Sequence, residues 1–189
     1  MEDVYNPFLA DLEQARRDGT LVRIHREELG AAWVDGYVLG LGRAWCLVGV
    51  IGDDIRPNGF QALRLEHISN LELPCPNHTF KARALALRGY SRPQPPALDL
   101  DDDAALLRDA SAAFPLITLY LEASEPDICY VGRVVMLNGD TLFLRCLNPD
   151  AEWEREHGRF GLDEITRIDF GGGYEQALAL VAGLIDTPH

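Results

Sequence analysis

Residues 65–71 read Leu-Glu-His-Ile-Ser-Asn-Leu, and residues 162–168 read Leu-Asp-Glu-Ile-Thr-Arg-Ile. Both follow one pattern, apolar-x-x-Ile-x-x-apolar, with Leu65, Ile68 and Leu71 matched by Leu162, Ile165 and Ile168 at an offset of 97 positions. The same offset, without a gap, aligns Trp33 with Tyr130, Val34 with Val131 and Val38 with Val135. It also aligns Gly42 with Gly139, Trp45 with Leu142 and Leu47 with Leu144. Few identities remain, but apolar positions match apolar positions over about 40 residues. A strand register dictates which face each side chain occupies, so a register held that long reads as an internal duplication.

Each copy reads as β. In the first, residues 21–26 form a short strand, and residues 32–41 and 44–51 form longer ones separated by Gly42-Arg43. Residues 60–65 and 68–71 follow, with a brief turn at Glu66-His67. In the second, residues 116–121 open the unit, and residues 128–137 and 141–147 are joined by Asn138-Gly139-Asp140. Asn-Gly is a strong hairpin signal because both residues tolerate positive φ. Residues 159–162 and 165–170 close it. Gly36 and Gly40 fall inside the second strand, where glycine permits the bend that a small closed barrel needs. Helical patterns lie outside the strands, at residues 6–18, 80–88, 101–113 and 174–185.

A helix followed by five strands, two of them long and bent, with a short turn between the last two, resembles the Sm/LSm/Hfq superfamily. The Leu65/Ile68/Leu71 and Leu162/Ile165/Ile168 endings carry the strongest local likeness. Where Sm proteins usually carry Arg-Gly, this chain has Glu66-His67 and Asp163-Glu164. The expected fold class is therefore mainly β with flanking helices (α+β): two tandem, bent, five-stranded Sm-like barrels joined by a helical linker. Residues 1–76 would hold the first barrel, 77–113 the Pro-containing linker and 114–189 the second barrel. The resemblance also implies association by pairing strand four of one barrel with strand five of the next, within the chain or between chains.

The formal net charge is −13. Residues 1–94 carry 12 acidic and 11 basic side chains, and residues 95–189 carry 18 and 6, so nearly all the excess lies in the second half. Such a surface repels phosphate backbones. The leading expectation is a non-enzymatic, cytoplasmic protein-interaction or assembly module, with a protein partner and self-association through barrel edges. RNA binding in the manner of the family is the alternative. Its candidate residues are His67 and the acid-free basic stretch with Lys81, Arg83, Arg88 and Arg92, where Tyr90 could add stacking. A third reading, an enzyme with a site between the barrels, would need polar groups from both copies, and Arg43, Arg64 and Arg145 are the residues to check.

The remaining features have structural readings. Cys75 and His78 have C-x-x-H spacing but lack a second ligand pair. Asp99, Asp101, Asp102 and Asp103 read as helix-start acids rather than a cation loop. Gly171-Gly172-Gly173 lacks a phosphate-loop lysine and reads as a flexible strand exit. No catalytic residue, metal or cofactor is implied. Cys46, Cys75, Cys129 and Cys146 are expected reduced and buried. No apolar run of about 18 residues exists to span a membrane, and the acidic start, Met1-Glu2-Asp3, is not followed by a signal-peptide core.

Overall fold

The computed structural model describes residues 6–184. Helix α1 (Leu9–Asp18) stops at Gly19, which takes the left-handed conformation and returns its N–H to Ala15. Strands β1 (Leu21–Arg26), β2 (Ala31–Leu41), β3 (Trp45–Ile51), β4 (Pro57–Arg64) and β5 (Asn70–Glu72) follow, with α2 (His78–Leu87) after them. Helix α3 (Asp103–Ala113) then leads into β6 (Ile117–Tyr120), β7 (Cys129–Asn138), β8 (Thr141–Leu147), β9 (Trp153–Gly161), β10 (Arg167–Phe170) and α4 (Gly173–Val181). Single 3-10 turns at Leu65–His67 and Leu162–Glu164 separate the last two strands of each half.

All ten strands form one open sheet, ordered β5-β1-β2-β3-β4-β10-β6-β7-β8-β9, and every recorded pairing is antiparallel. The expected pair of closed five-stranded barrels joined by a helical linker is therefore not what the chain forms. The outer edge of β4 is satisfied by β10, with Leu63 opposite Arg167, Ala62 opposite Ile168, Gln61 opposite Asp169 and Phe60 opposite Phe170. Backbone groups that would have closed each half on itself are used to join the halves. The expected linker is also no linker. Helix α3 places Leu106, Leu107 and Ala110 in the largest core, between Trp45, Leu47 and Ala62 of the first half and Leu119, Leu142 and Ile168 of the second. Helix α2 buries Leu85 against Leu21, Ile51 and Cys75.

Both halves keep the same strand order, fifth-first-second-third-fourth. Both also bend at bulges: between Val38 and Gly40 on β2, and between Val134 and Met136 on β7. An extra residue on one strand increases local twist, so these bulges supply the curvature. Gly40 stands at the bulge, and together with Gly42, just past the end of β2, it has a further use. A Cβ on Gly40 would lie 2.7 Å from the Leu100 side chain, and one on Gly42 would lie 2.2 Å from its carbonyl oxygen. They let the 98–100 segment lie against β2 and drop Leu98 and Leu100 onto the shared core.

The sequence reading missed most of β9. Residues 153–158 contain Glu154, Arg155, Glu156 and His157, a poor apolar pattern, because β9 is an edge strand and mostly exposed. Of the cysteines, all four are free, but Cys129 is exposed rather than buried. No helix among the described residues is long and apolar enough to cross a membrane. Ile185, placed in the last helix by its pattern, lies outside the described residues.

Candidate functional site

The join between the halves gathers the buried charge of the molecule. Arg26, at the end of β1, is 1% exposed and forms a two-pronged ion pair with Glu122, which follows β6. Arg167 on β10 also donates to Glu122, at 3.0 Å. Thr166 Oγ1 donates to the same carboxylate at 2.9 Å and accepts from the Glu122 N–H. Burial works to raise the Glu122 pKa, but Arg26 and Arg167 outweigh it and hold the group below the usual carboxylate range. The Arg167 guanidinium lies over the Tyr120 ring, 3.4 Å from its centroid.

A second clamp sits at the end of β4. Arg64 Nε donates to the Ile165 carbonyl at 2.6 Å, and one terminal nitrogen reaches the Leu162 carbonyl and Asp103. Its guanidinium covers Trp45, whose indole N–H donates to Asp103 at 2.7 Å. One arginine thus fastens β4 to the 3-10 turn of the other half and to the start of α3.

Beside these clamps the corner between β10 and α4 encloses a pocket of about 260 Å³. Asn58, Phe60 and Gln61 of β4 line it from one side; Tyr120, Asp169, Tyr174 and Glu175 line it from the other. Gly59 allows this closeness: its φ is +71°, and a Cβ there would lie 2.4 Å from the Gly172 nitrogen. Asn58 Oδ1 accepts from the Gly173 N–H, which starts α4. The Gly171-Gly172-Gly173 stretch is therefore a tight docking corner, not a loose exit.

Asp169 Oδ2 accepts from Gln61 Nε2 at 3.0 Å, and its Oδ1 lies 3.0 Å from Arg167 Nε as an ion pair without an aligned hydrogen bond. Gln61 Oε1 is buried and has no donor among the described residues. Glu175 is 7% exposed and accepts from the buried Thr118 hydroxyl at 2.5 Å. Burial pushes the Asp169 carboxyl up to about 7; Arg167 opposes this and the Glu175 charge adds to it. A folded-state pKa raised from the ordinary 3.8 means that the folded form holds the proton more tightly than the unfolded chain. Stability from Asp169 is then complete below about pH 4 and is lost as pH rises through about 7. Asp169→Asn should remove that decline: melting temperatures at pH 5 and pH 8 should converge relative to the parent. An unchanged gap would show that Asp169 does not titrate in this range.

The expected site residues do not assemble here. Lys81 pairs with Asp35, which also holds Arg23. Arg88 donates to the carbonyls of Asp54 and Ile55, Arg92 donates to the Val38 carbonyl, and Arg83 is exposed on α2. His67 sits on the 3-10 turn after β4; burial lowers its pKa, and Glu66, Arg26 and Arg64 are its charged neighbours. Nor does a pocket collect Arg43, Arg64 and Arg145. Arg43 is exposed, Arg64 is buried in the clamp, and Arg145 stacks on Trp153. Polar groups of both halves do converge, but they are Asn58, Gln61, Asp169 and Glu175. No local signal marked them: Asp169, between the buried Ile168 and Phe170, holds the alternate position of β10 and reads in the sequence as a solvent-facing charge.

The acids near α3 work locally. Asp102 caps Ala105, Asp103 holds Trp45 and Arg64, and Asp101 accepts from the Arg43 N–H. Among the described residues no three His, Cys, Asp or Glu side chains come together as a metal site. Comparison with known proteins gives no matching family model, no matching curated protein and no matching solved structure.

Proposed function

We propose that the protein is a non-catalytic interaction module of the cytoplasm, and that β9 is where it receives an extended segment of a partner protein. The observation that carries this is the unequal fate of two equivalent edges. Strands β4 and β9 hold the same place in their halves; β10 covers the outer edge of β4, while the outer edge of β9 has no partner strand among the described residues. A nine-residue open edge offers a row of backbone donors and acceptors, the means by which many domains capture an extended peptide.

A partner other than a second copy fits this edge better. At the covered edge, Asn58, Gly59 and Arg64 make the join. Their equivalents on β9, at the offset of 97, are Arg155, Glu156 and Gly161, which lack the cap, the room and the clamp. Descent from a duplicated Sm-related unit is part of the same proposal. The shared strand order and the 3-10 turns 97 residues apart support it, as does a fourth-to-fifth-strand join like that between Sm neighbours.

Arg155 lies in the bulged stretch between the Arg145/His157 and Leu147/Trp153 pairs, so Arg155→Pro alters the edge where β9 has no register partner on β8. Affinity capture from native extract should yield a protein that the parent retains and this variant, melting like the parent, loses. Equal retention would refute β9 as the binding edge. Concentration-dependent self-association of the parent, abolished by Arg155→Pro, would instead make the partner a second copy. Salt-sensitive binding of labelled oligo-U, lost on replacing Arg83, Arg88 and Arg92 by alanine, would favour the RNA reading.

A further inference from the structure

We propose that the pocket between β4, β10 and α4 binds a small organic cation, an ammonium or guanidinium head group carried by a free amine or by a lysine or arginine side chain. The charge around it is unbalanced. Glu122, Asp169 and Glu175 are three buried or nearly buried carboxyl groups, and among the described residues only Arg26 and Arg167 answer them. Both arginines are spent on Glu122, and Arg167 alone reaches Asp169, so Glu175 has a hydroxyl for a partner and no cation. A net charge left away from water is costly until a counter-charge joins it.

The walls suit an organic cation. Tyr174 is 53% exposed and lines the pocket, whereas Arg167 already lies over the Tyr120 ring. An aromatic face beside carboxylates is a setting that attracts ammonium and guanidinium groups. Gln61 borders the same space with an amide oxygen that has no donor, so a small shift of its side chain gives a third acceptor. A divalent metal is a poorer fit, because it asks for more oxygen ligands than two carboxylates and an amide provide. An anion would meet Asp169 and Glu175. The helix end that could draw it has its first N–H taken by Asn58 and Glu175 in its first turn.

When the pocket is empty, a proton on Asp169 is the available counter-charge. The groups facing Asp169 are Arg167 on its own strand, Gln61 on β4, Tyr120 on β6, Cys129 on β7 and Glu175 on α4, with Arg26 of β1 acting on it more weakly as a second cation. Of these, Asp169 itself is the one whose carboxyl is moved to about 7. The cation therefore displaces a proton, and its affinity rises by about tenfold from pH 6 to pH 8.

The test is a titration of the ¹⁵N-labelled protein, followed by amide shifts. The probes are agmatine, an end-blocked Gly-Arg-Gly peptide, neutral N-butylurea and inorganic phosphate. Saturable shifts at Gln61 and residues 171–175 are expected with a cationic probe, and none with butylurea or phosphate. Saturation by agmatine but not by the peptide assigns a free cation; tighter binding of the peptide assigns a side chain. Glu175→Gln keeps a partner for Thr118 and should weaken binding by about tenfold or more. Tyr174→Ala, at an exposed position, gives a second reading if the first variant does not fold. No saturable shift, equal shifts with butylurea, phosphate binding, or unchanged affinity in folded Glu175→Gln would overturn the proposal.

Discussion

Glu122→Ala should lower the stability of the protein by about 3–5 kcal/mol or more, the usual result of removing one member of a buried ion pair. Its removal leaves Arg26 without a counter-charge and Arg167 with Asp169 alone. Arg26 is almost wholly buried and Arg167 nearly so, and both point at the Glu122 oxygens. For a chain of this length the loss corresponds to a fall in melting temperature of roughly 6–20 °C. Arg26→Ala should cost less, because Arg167 still answers Glu122 in that variant. The reverse order, read from chemical denaturation at neutral pH, would show that Arg167 does not share the pair. The sign of the pH dependence follows from the lowered Glu122 pKa. Its contribution is fully present above the ordinary carboxylate pKa and is lost below it, as pH falls through the lowered pKa of the folded state. The Asp169 contribution fails in the opposite direction, so the two define a stability maximum on the acidic side of neutrality.

Ile168→Asp should be more damaging still, with a loss above about 4 kcal/mol, a large share of the stability of an ordinary domain. Ile168 is 0% exposed and stands opposite Ala62 on one side and Leu119 on the other. A carboxylate there has no partner and sits in the core that both halves share. The conservative Ile168→Val should cost only about 0.5–1.5 kcal/mol. Far-ultraviolet circular dichroism on the aspartate variant should show the whole chain melting together at the lower temperature. A persisting transition from the first half would mean that the halves are stable apart, against the shared core.

Local signals in the sequence reached far into this structure and then stopped at pairing. The apolar runs Leu21–Arg26 and Thr141–Leu147, with their flanking turn residues, mark β1 and β8 to the residue. The repeated Leu65/Ile68 and Leu162/Ile165 motif lands on the two 3-10 turns, with all four side chains buried. Yet nothing local says whether a strand edge turns to its own half or to the other. That choice rests on contacts such as Arg64 to the Leu162 and Ile165 carbonyls, made by residues about 100 positions apart. Arg26, Arg64 and Asp169 look like ordinary surface charges until the fold buries them. The basic stretch likewise has a use that only the fold reveals: Lys81, Arg88 and Arg92 hold α2 and the following segment to β2 and the β3–β4 turn.

The β4–β10 join also sets a timetable for synthesis. When residue 72 has left the ribosome, the first five strands are complete, but β4 waits for Arg167–Phe170. Translation at the usual pace takes roughly 5–20 s to supply those residues. During that interval the nascent chain carries an uncovered strand with Ala62 and Leu63 in it, next to a core still missing α3. A message truncated between the two halves would make that interval permanent. Its product should be an aggregating fragment and a client for chaperones, although every strand of the first half is present in it.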